Sequence, residues 1–211
     1  MRLYFVRHAE SEANLLKEIS NRGLKHGLTG RGRAQAAALG DNLHPACANK
    51  IYTSPLLRAV QTAEILASAL GLPVETSDAL REYDCGVLEG KSDPDSWALH
   101  RQVRLAWLEQ GAWEQRIPGG ESFLDIQARF EPFIQRLLQS PQGASLILVG
   151  HGGLYTCMLP LVLANVSFAF ATQPFPNTAY VLARAQPDGS LRCLEWCGAP
   201  VPPAPGEAFP A

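Results

Sequence analysis

Leu3-Tyr4-Phe5-Val6-Arg7-His8 and Leu146-Ile147-Leu148-Val149-Gly150-His151 are two short apolar runs that each end on a histidine. Both have the length of a buried strand and the side chains that suit one. In an α/β domain, ligands bind just beyond the carboxyl ends of the strands. Two imidazoles at that end, one beside Arg7 and one followed by Gly152-Gly153, point to a site for an anion.

Outward from these runs, strands are predicted near 2–7, 50–53 and 145–149, alternating with helical patterns at 29–43, 55–70, 94–110 and 122–139. That alternation argues for an α/β fold: a three-layer α/β/α sandwich with a mostly parallel sheet and helices on both faces. Ser54 is placed to cap the second helix and Pro55 to sit in its first turn. Ser122 and Asp125 form a capping-box pattern ahead of the fourth. Its apolar residues, from Phe123 to Leu138, keep helical spacing, and Pro132 is expected to kink it. Residues 178–184 and 190–196 read as strands joined by Gln186-Pro187-Asp188-Gly189, a turn signal. Leu154 to Ala171 carries no charge, but Pro160, Asn165 and Ser167 interrupt it, so it reads as a buried helix against the sheet rather than a membrane span. The tail 198–211 is proline-rich and expected to be poorly ordered.

The chain has 211 residues and a formal net charge of -2, which suits one domain, over 1–197, with no general affinity for nucleic acid or membrane surfaces. A basic site must therefore be local. Met1-Arg2 leads straight into a strand, without a signal-peptide pattern. The five cysteines, Cys47, Cys85, Cys157, Cys193 and Cys197, form no paired metal-binding spacing and read as free thiols of a cytoplasmic protein. An exposed sheet edge is where a homodimer would form.

Four clusters carry chemistry. In Arg7-His8-Ala9-Glu10-Ser11 the arginine offers a rigid fork of donors for phosphate oxygens, and a neutral histidine beside it can attack phosphorus. Asn14 could add a donor from the following loop. In Ser54-Pro55-Leu56-Leu57-Arg58, Arg58 stands in the first turn of a helix whose free N–H groups favour anions. In Leu80-Arg81-Glu82-Tyr83, Glu82 could protonate a departing oxygen if its pKa were raised. In Gly150-His151-Gly152-Gly153, small residues allow close approach of a phosphate, and His151 could stabilise the transferring group. Taken singly, each cluster also reads blandly: a surface Arg-His pair, a solvated helix arginine, an acidic loop, a satisfied core histidine.

In this order the four clusters resemble the histidine phosphatase superfamily, also called phosphoglycerate mutase-like, from Arg2 to about Trp196. Leu28-Thr29 with Gly32, Gln35 and Ala36, and Gly119-Gly120-Glu121-Ser122, match further family segments. The resemblance implies His8 as the phosphorylated nucleophile. It implies Arg7, Arg58 and His151 as ligands of the phosphoryl group, helped by Asn14 and a backbone N–H near Gly152. Glu82 would be the proton donor. No metal and no cofactor is implied. One position departs from the pattern: Ala9 stands where the family usually has glycine.

The Gly-Gly-Glu-Ser motif and the helix with Trp97, Trp107 and Trp113 resemble the bacterial broad-specificity and α-ribazole phosphatase branch. The segment 83–120 is then a lid, with Trp97, His100, Arg101 and Arg104 as candidate contacts to the leaving group, although tryptophans there also suit plain packing. The lid looks short for a phosphoglycerate mutase. The expected activity is hydrolysis of a small phosphorylated metabolite, ahead of mutase-type transfer and of an inactive phospho-ligand-binding module. A metal hydrolase built on His8, His151, Glu10 and Glu82 is a further alternative, which the neighbouring arginines disfavour.

Overall fold

The computed structural model describes residues 1–43, 48–139, 144–169, 173 and 175–201. Seven strands form one sheet: β1 (Arg2–Arg7), β2 (Lys50–Thr53), β3 (Val74–Thr76), β4 (Ser145–Gly150), β5 (Tyr180–Ala185), β6 (Leu191–Trp196) and β7 (Ala199–Pro200), in the order β3-β2-β4-β1-β5-β6-β7. β3, β2, β4 and β1 are mutually parallel, while β5, β6 and β7 pair antiparallel along one side. The sheet is therefore mixed, with only β5 and β7 running against the other strands.

The two central strands are apolar on both faces. Leu3, Phe5, Leu146 and Leu148 enter one core, and Tyr4, Val6, Ile147 and Val149 enter the other. This period-2 split requires cover on both sides. Ala59, Ala63 and Leu66 of α3 (Leu57–Leu70) cover the second face, and α2 (Gly30–Asn42) packs on α3. α4 (Pro94–Gln110), α5 (Phe123–Leu138) and α6 (Gly152–Val162) share the first core. The short α1 (Glu12–Leu16) follows β1.

Local chemistry sets several ends. Ser122 and Asp125 close the expected capping box at the start of α5. Asp93 caps α4, and Gly111 ends it in the left-handed conformation. Ser54 does not cap α3. The N-cap is Leu56, and Ser54 Oγ accepts from the Leu56 N–H at 3.2 Å while its other contact goes to His151. Pro55 accordingly lies ahead of the helix, not in its first turn.

The uncharged run from Leu154 is helical only to Val162, with six consecutive buried residues, Leu154 to Leu159. Among the described residues no helix is long and apolar enough to cross a membrane. The start of the tail is ordered, since Ala199 and Pro200 pair with Trp196 and Glu195. Residues 202–211, and Cys47, lie outside the described residues. Cys85, Cys157 and Cys193 are buried free thiols, and Cys197 is a half-buried one.

Candidate active site

β1 and β4 are adjacent and in register, with Arg7 opposite Gly150, so the chain delivers His8 and His151 side by side. Their ring centroids lie 5.0 Å apart. His8 is nearly buried, with 4% of its surface exposed. Its Nδ1 lies 2.7 Å from the Ala9 carbonyl oxygen. A carbonyl only accepts, so Nδ1 carries the hydrogen and Nε2 keeps its lone pair. That lone pair accepts from Arg58 Nε at 3.1 Å. Burial, then Arg58 and Arg7, hold the His8 pKa well below the usual 6.5. The ring is thus kept neutral with its free nitrogen turned toward a guanidinium.

Ala9 sits at this bend with its N–H donated to Thr62 Oγ1 at 3.1 Å. Its backbone is not among the positive-φ positions, so the site does not need the glycine that the family pattern would place there. Thr62 in turn donates to the Arg58 carbonyl at 2.7 Å, tying the histidine loop to the first turns of α3.

Arg7, His8, Asn14, Arg58, Glu82 and Gly152 line one cavity of about 370 Å³. Arg58 is buried, and burial brings its pKa down to about 10. Burial also lowers that of Arg7, whose Nη1 donates to the Phe175 carbonyl and whose buried Nε has no protein partner. Two desolvated guanidinium groups beside one imidazole form a strong anion site. Asn14 is held by its oxygen, which accepts from the Ser11 N–H at 3.0 Å. His151 is fully buried and is not on the cavity wall. Its Nε2 meets Ser54 Oγ at 2.8 Å, and its Nδ1 has no partner.

Glu82 lines the same cavity, beside the start of α6. Its carboxylate accepts from the Gly153 N–H at 2.9 Å and from the Tyr83 N–H at 3.1 Å. Burial raises its pKa from the ordinary carboxylate value, against the pull of those N–H groups and of Arg58. The site therefore holds a neutral base and a carboxyl whose pKa is raised, both on the wall of one cationic cavity.

The loop bearing Glu82 is fixed by Gly119-Gly120-Glu121. A Cβ on Gly120 would collide with the Asp84 carbonyl oxygen, and one on Gly86, whose φ is +53°, with the Pro118 carbonyl oxygen. Backbone therefore packs on backbone, which only glycine permits. Glu121 accepts from the Asp84 N–H at 2.8 Å and from Arg129 Nε at 2.8 Å.

Of the four expected lid residues, Trp97, His100 and Arg104 line the cavity and Arg101 does not. Arg101 falls on the exposed side of α4. Trp107 is a core residue, packed edge-on against Tyr83 and Phe123, whereas Trp113 is 44% exposed and stacks on Phe123. The sequence reading missed Asn177, whose Nδ2 donates to the His8 carbonyl at 2.9 Å, and the Phe175 carbonyl that holds Arg7. Neither has a sequence signal, because both act through a loop 168 or 169 residues away along the chain. Among the described residues no group of three or more His, Cys, Asp or Glu side chains is gathered as metal ligands.

Residues 3–197 match the model of the histidine phosphatase superfamily (branch 1). The chain is 33% identical over 169 residues to "Probable phosphoglycerate mutase GpmB" of Salmonella paratyphi C, covering 80% of this chain and 78% of that one. It is similar to the solved mycobacterial glucosyl-3-phosphoglycerate phosphatase with VO3, at a TM-score of 0.80 and 27% identity, covering 94% and 99% of the two chains. It is also similar to an Escherichia coli protein assigned, by inference, as an alpha-ribazole-5'-P phosphatase, at a TM-score of 0.76 and 27% identity, covering 96% and 99%.

Proposed function

The chain belongs to the histidine phosphatase superfamily (branch 1), and from that premise we propose that it is a metal-independent phosphomonoesterase acting through a phosphohistidine on a small phosphorylated metabolite. The observation that carries the reading is His8, neutral, with its Nε2 lone pair facing Arg58 in a cavity shared with Arg7 and Glu82.

In this mechanism Nε2 attacks phosphorus and the ester P–O bond breaks. Glu82, protonated, gives its proton to the departing oxygen, which leaves as an alcohol. The resulting carboxylate then takes a proton from water as that water attacks the phosphohistidine, releasing inorganic phosphate and restoring His8. Arg7 and Arg58 bind the phosphoryl oxygens, with the Asn14 amide and the Gly152 N–H as further donors; His151, which lies behind the cavity wall with its Nε2 on Ser54 Oγ, would join them only by turning away from Ser54. The guanidinium pair supplies the charge neutralisation that metal ions supply in kinases. We assign the protein to the cytoplasm, where its free thiols would stay reduced.

The test is hydrolysis of p-nitrophenyl phosphate with EDTA present, by the native chain and by His8→Ala. EDTA-resistant turnover that disappears in His8→Ala supports the reading. Turnover abolished by EDTA, or retained in His8→Ala, overturns it. Phosphoglycerate mutase-type transfer is the second reading, favoured by the named Salmonella relative. Formation of isomeric phosphoesters in place of inorganic phosphate would select it.

A further inference from the structure

We propose that Arg104 on α4 holds a second anionic group, carried by the leaving alcohol, so that the preferred substrate is a phosphomonoester bearing a carboxylate or a second phosphate. The inference rests on the phosphomonoester reading for the chemistry at His8, but its evidence lies at α4.

Arg104 lines the same cavity as Arg7, Arg58 and Glu82. Its Nε is buried and has no hydrogen-bond partner. Among the described residues no carboxylate forms an ion pair with it, although seven arginine or lysine pairs with carboxylates are formed elsewhere. The two carboxylates on the cavity wall are both committed. Glu18 accepts from Lys25 at 2.6 Å and faces His26 at 3.0 Å, and Glu82 is held by the N–H groups of Gly153 and Tyr83.

Arg104 is nonetheless felt by its surroundings. Its charge opposes protonation of His100, whose pKa falls to about 4 mainly through burial, and it favours the ionised form of buried Tyr83. His100 and Tyr83 cannot serve as its counter-ion, because the Tyr83 hydroxyl and His100 Nε2 are engaged with each other at 2.8 Å. Cys157 is a side-chain hydrogen-bond partner of Arg104, but it is a neutral thiol, its pKa pushed up to about 12 by burial, and so it cancels no charge. Trp97, whose Nε1 donates to the Lys17 carbonyl at 2.7 Å, fixes the same stretch of α4 against the loop after α1. The guanidinium is thus presented on an anchored helix and leaves one charge uncompensated. A buried donor left unmet is costly, and an anion on the ligand removes that cost. In the proposed mechanism Arg7 and Arg58 hold the phosphoryl group, so the anion that meets Arg104 is a second one. A cavity of about 370 Å³ has room for a small molecule with both ends charged.

The experiment is calorimetric binding of matched esters to His8→Ala, in which turnover does not intervene. One pair is 3-phosphoglycerate against glycerol 3-phosphate, and the other is fructose 1,6-bisphosphate against fructose 6-phosphate. In at least one pair the doubly anionic member should bind at least about tenfold tighter, as expected for a charged hydrogen bond. The pair that shows it tells carboxylate from phosphate. Adding Arg104→Gln should bring that ratio to about one, and Arg104→Lys should keep part of it. A ratio near one in both pairs with Arg104 present overturns the proposal, as does a ratio that survives Arg104→Gln. If Arg104→Gln fails to fold, Arg104→Lys decides: a reduced ratio supports the proposal and an unchanged one overturns it. Phosphohistidine formation by the native chain is scored separately: its absence removes the phosphatase reading and leaves the Arg104 ratio standing, and the converse result separates the two failures.

Discussion

His8 is neutral because folding makes protonation expensive: the ring is buried beside two guanidinium groups. As the proposed nucleophile, with a pKa well below 6.5, it stays unprotonated as pH falls through that value, so the acid limb of kcat/KM should appear only far below it. Glu82 acts in the opposite sense. Its pKa is raised, so the proton it donates in the proposed mechanism is lost as pH rises through that raised value. The profile should therefore favour mildly acid pH, and an acid limb centred near 6.5 in a pH–rate measurement would sink this account of His8. Glu82→Gln should cost about 10²–10⁴-fold on alkyl phosphates, whose alkoxide needs a proton, and far less on p-nitrophenyl phosphate. Equal losses on both esters would remove Glu82 from the role of acid.

Among the elements, the Glu82 carboxyl is placed by glycines rather than by its own contacts alone. Gly153, in the first turn of α6, leaves the room that Glu82 occupies: a Cβ there would stand 2.7 and 2.8 Å from the two carboxylate oxygens and 2.6 Å from the Tyr83 ring. Gly153→Ala must push Glu82 away from the N-terminus of α6. The expected result is a loss of about 1–3 kcal/mol in urea unfolding, as for other overpacked sites. Alkyl phosphate turnover should fall more than aryl phosphate turnover, the same asymmetry as in Glu82→Gln. A variant destabilised without that asymmetry would show that Gly153 serves packing only.

At the scale of the molecule, the parallel strands β1, β4 and β2 bring their carboxyl ends to one rim, and the site is assembled there from loops far apart in sequence. Arg7 and Arg58 are buried with lowered pKa values, so the unliganded fold carries two desolvated cations side by side. An anion bound between them should stabilise the whole chain. Inorganic phosphate or vanadate at about 100 times its Kd contributes about 2.7 kcal/mol by mass action, or a rise of about 5–10 °C in Tm for a domain of this size. Thermal unfolding measures this, and Arg58→Ala should lose most of the rise. An equal rise in that variant would place the anion elsewhere.

The α/β class, the central strands and the family follow from the amino-acid order, because they rest on local pattern. Arg2–Arg7, Lys50–Thr53 and Pro94–Gln110 fall where periodicity and caps place them. His8, Arg7, Arg58 and Glu82 were legible because motifs of four to nine residues carry them. β3 and α1 were not read, since three exposed residues and a single five-residue turn have no hydrophobic period to detect. Ser54 was misread as a cap because its hydroxyl serves His151, 97 residues away, a choice no local rule contains. The tautomer of His8, the ordinary backbone of Ala9, the hold of Asn177 on the His8 carbonyl and the unmatched charge of Arg104 emerge from the fold. Each depends on burial and on partners remote in sequence, and burial and remote contact exist only once the chain has folded.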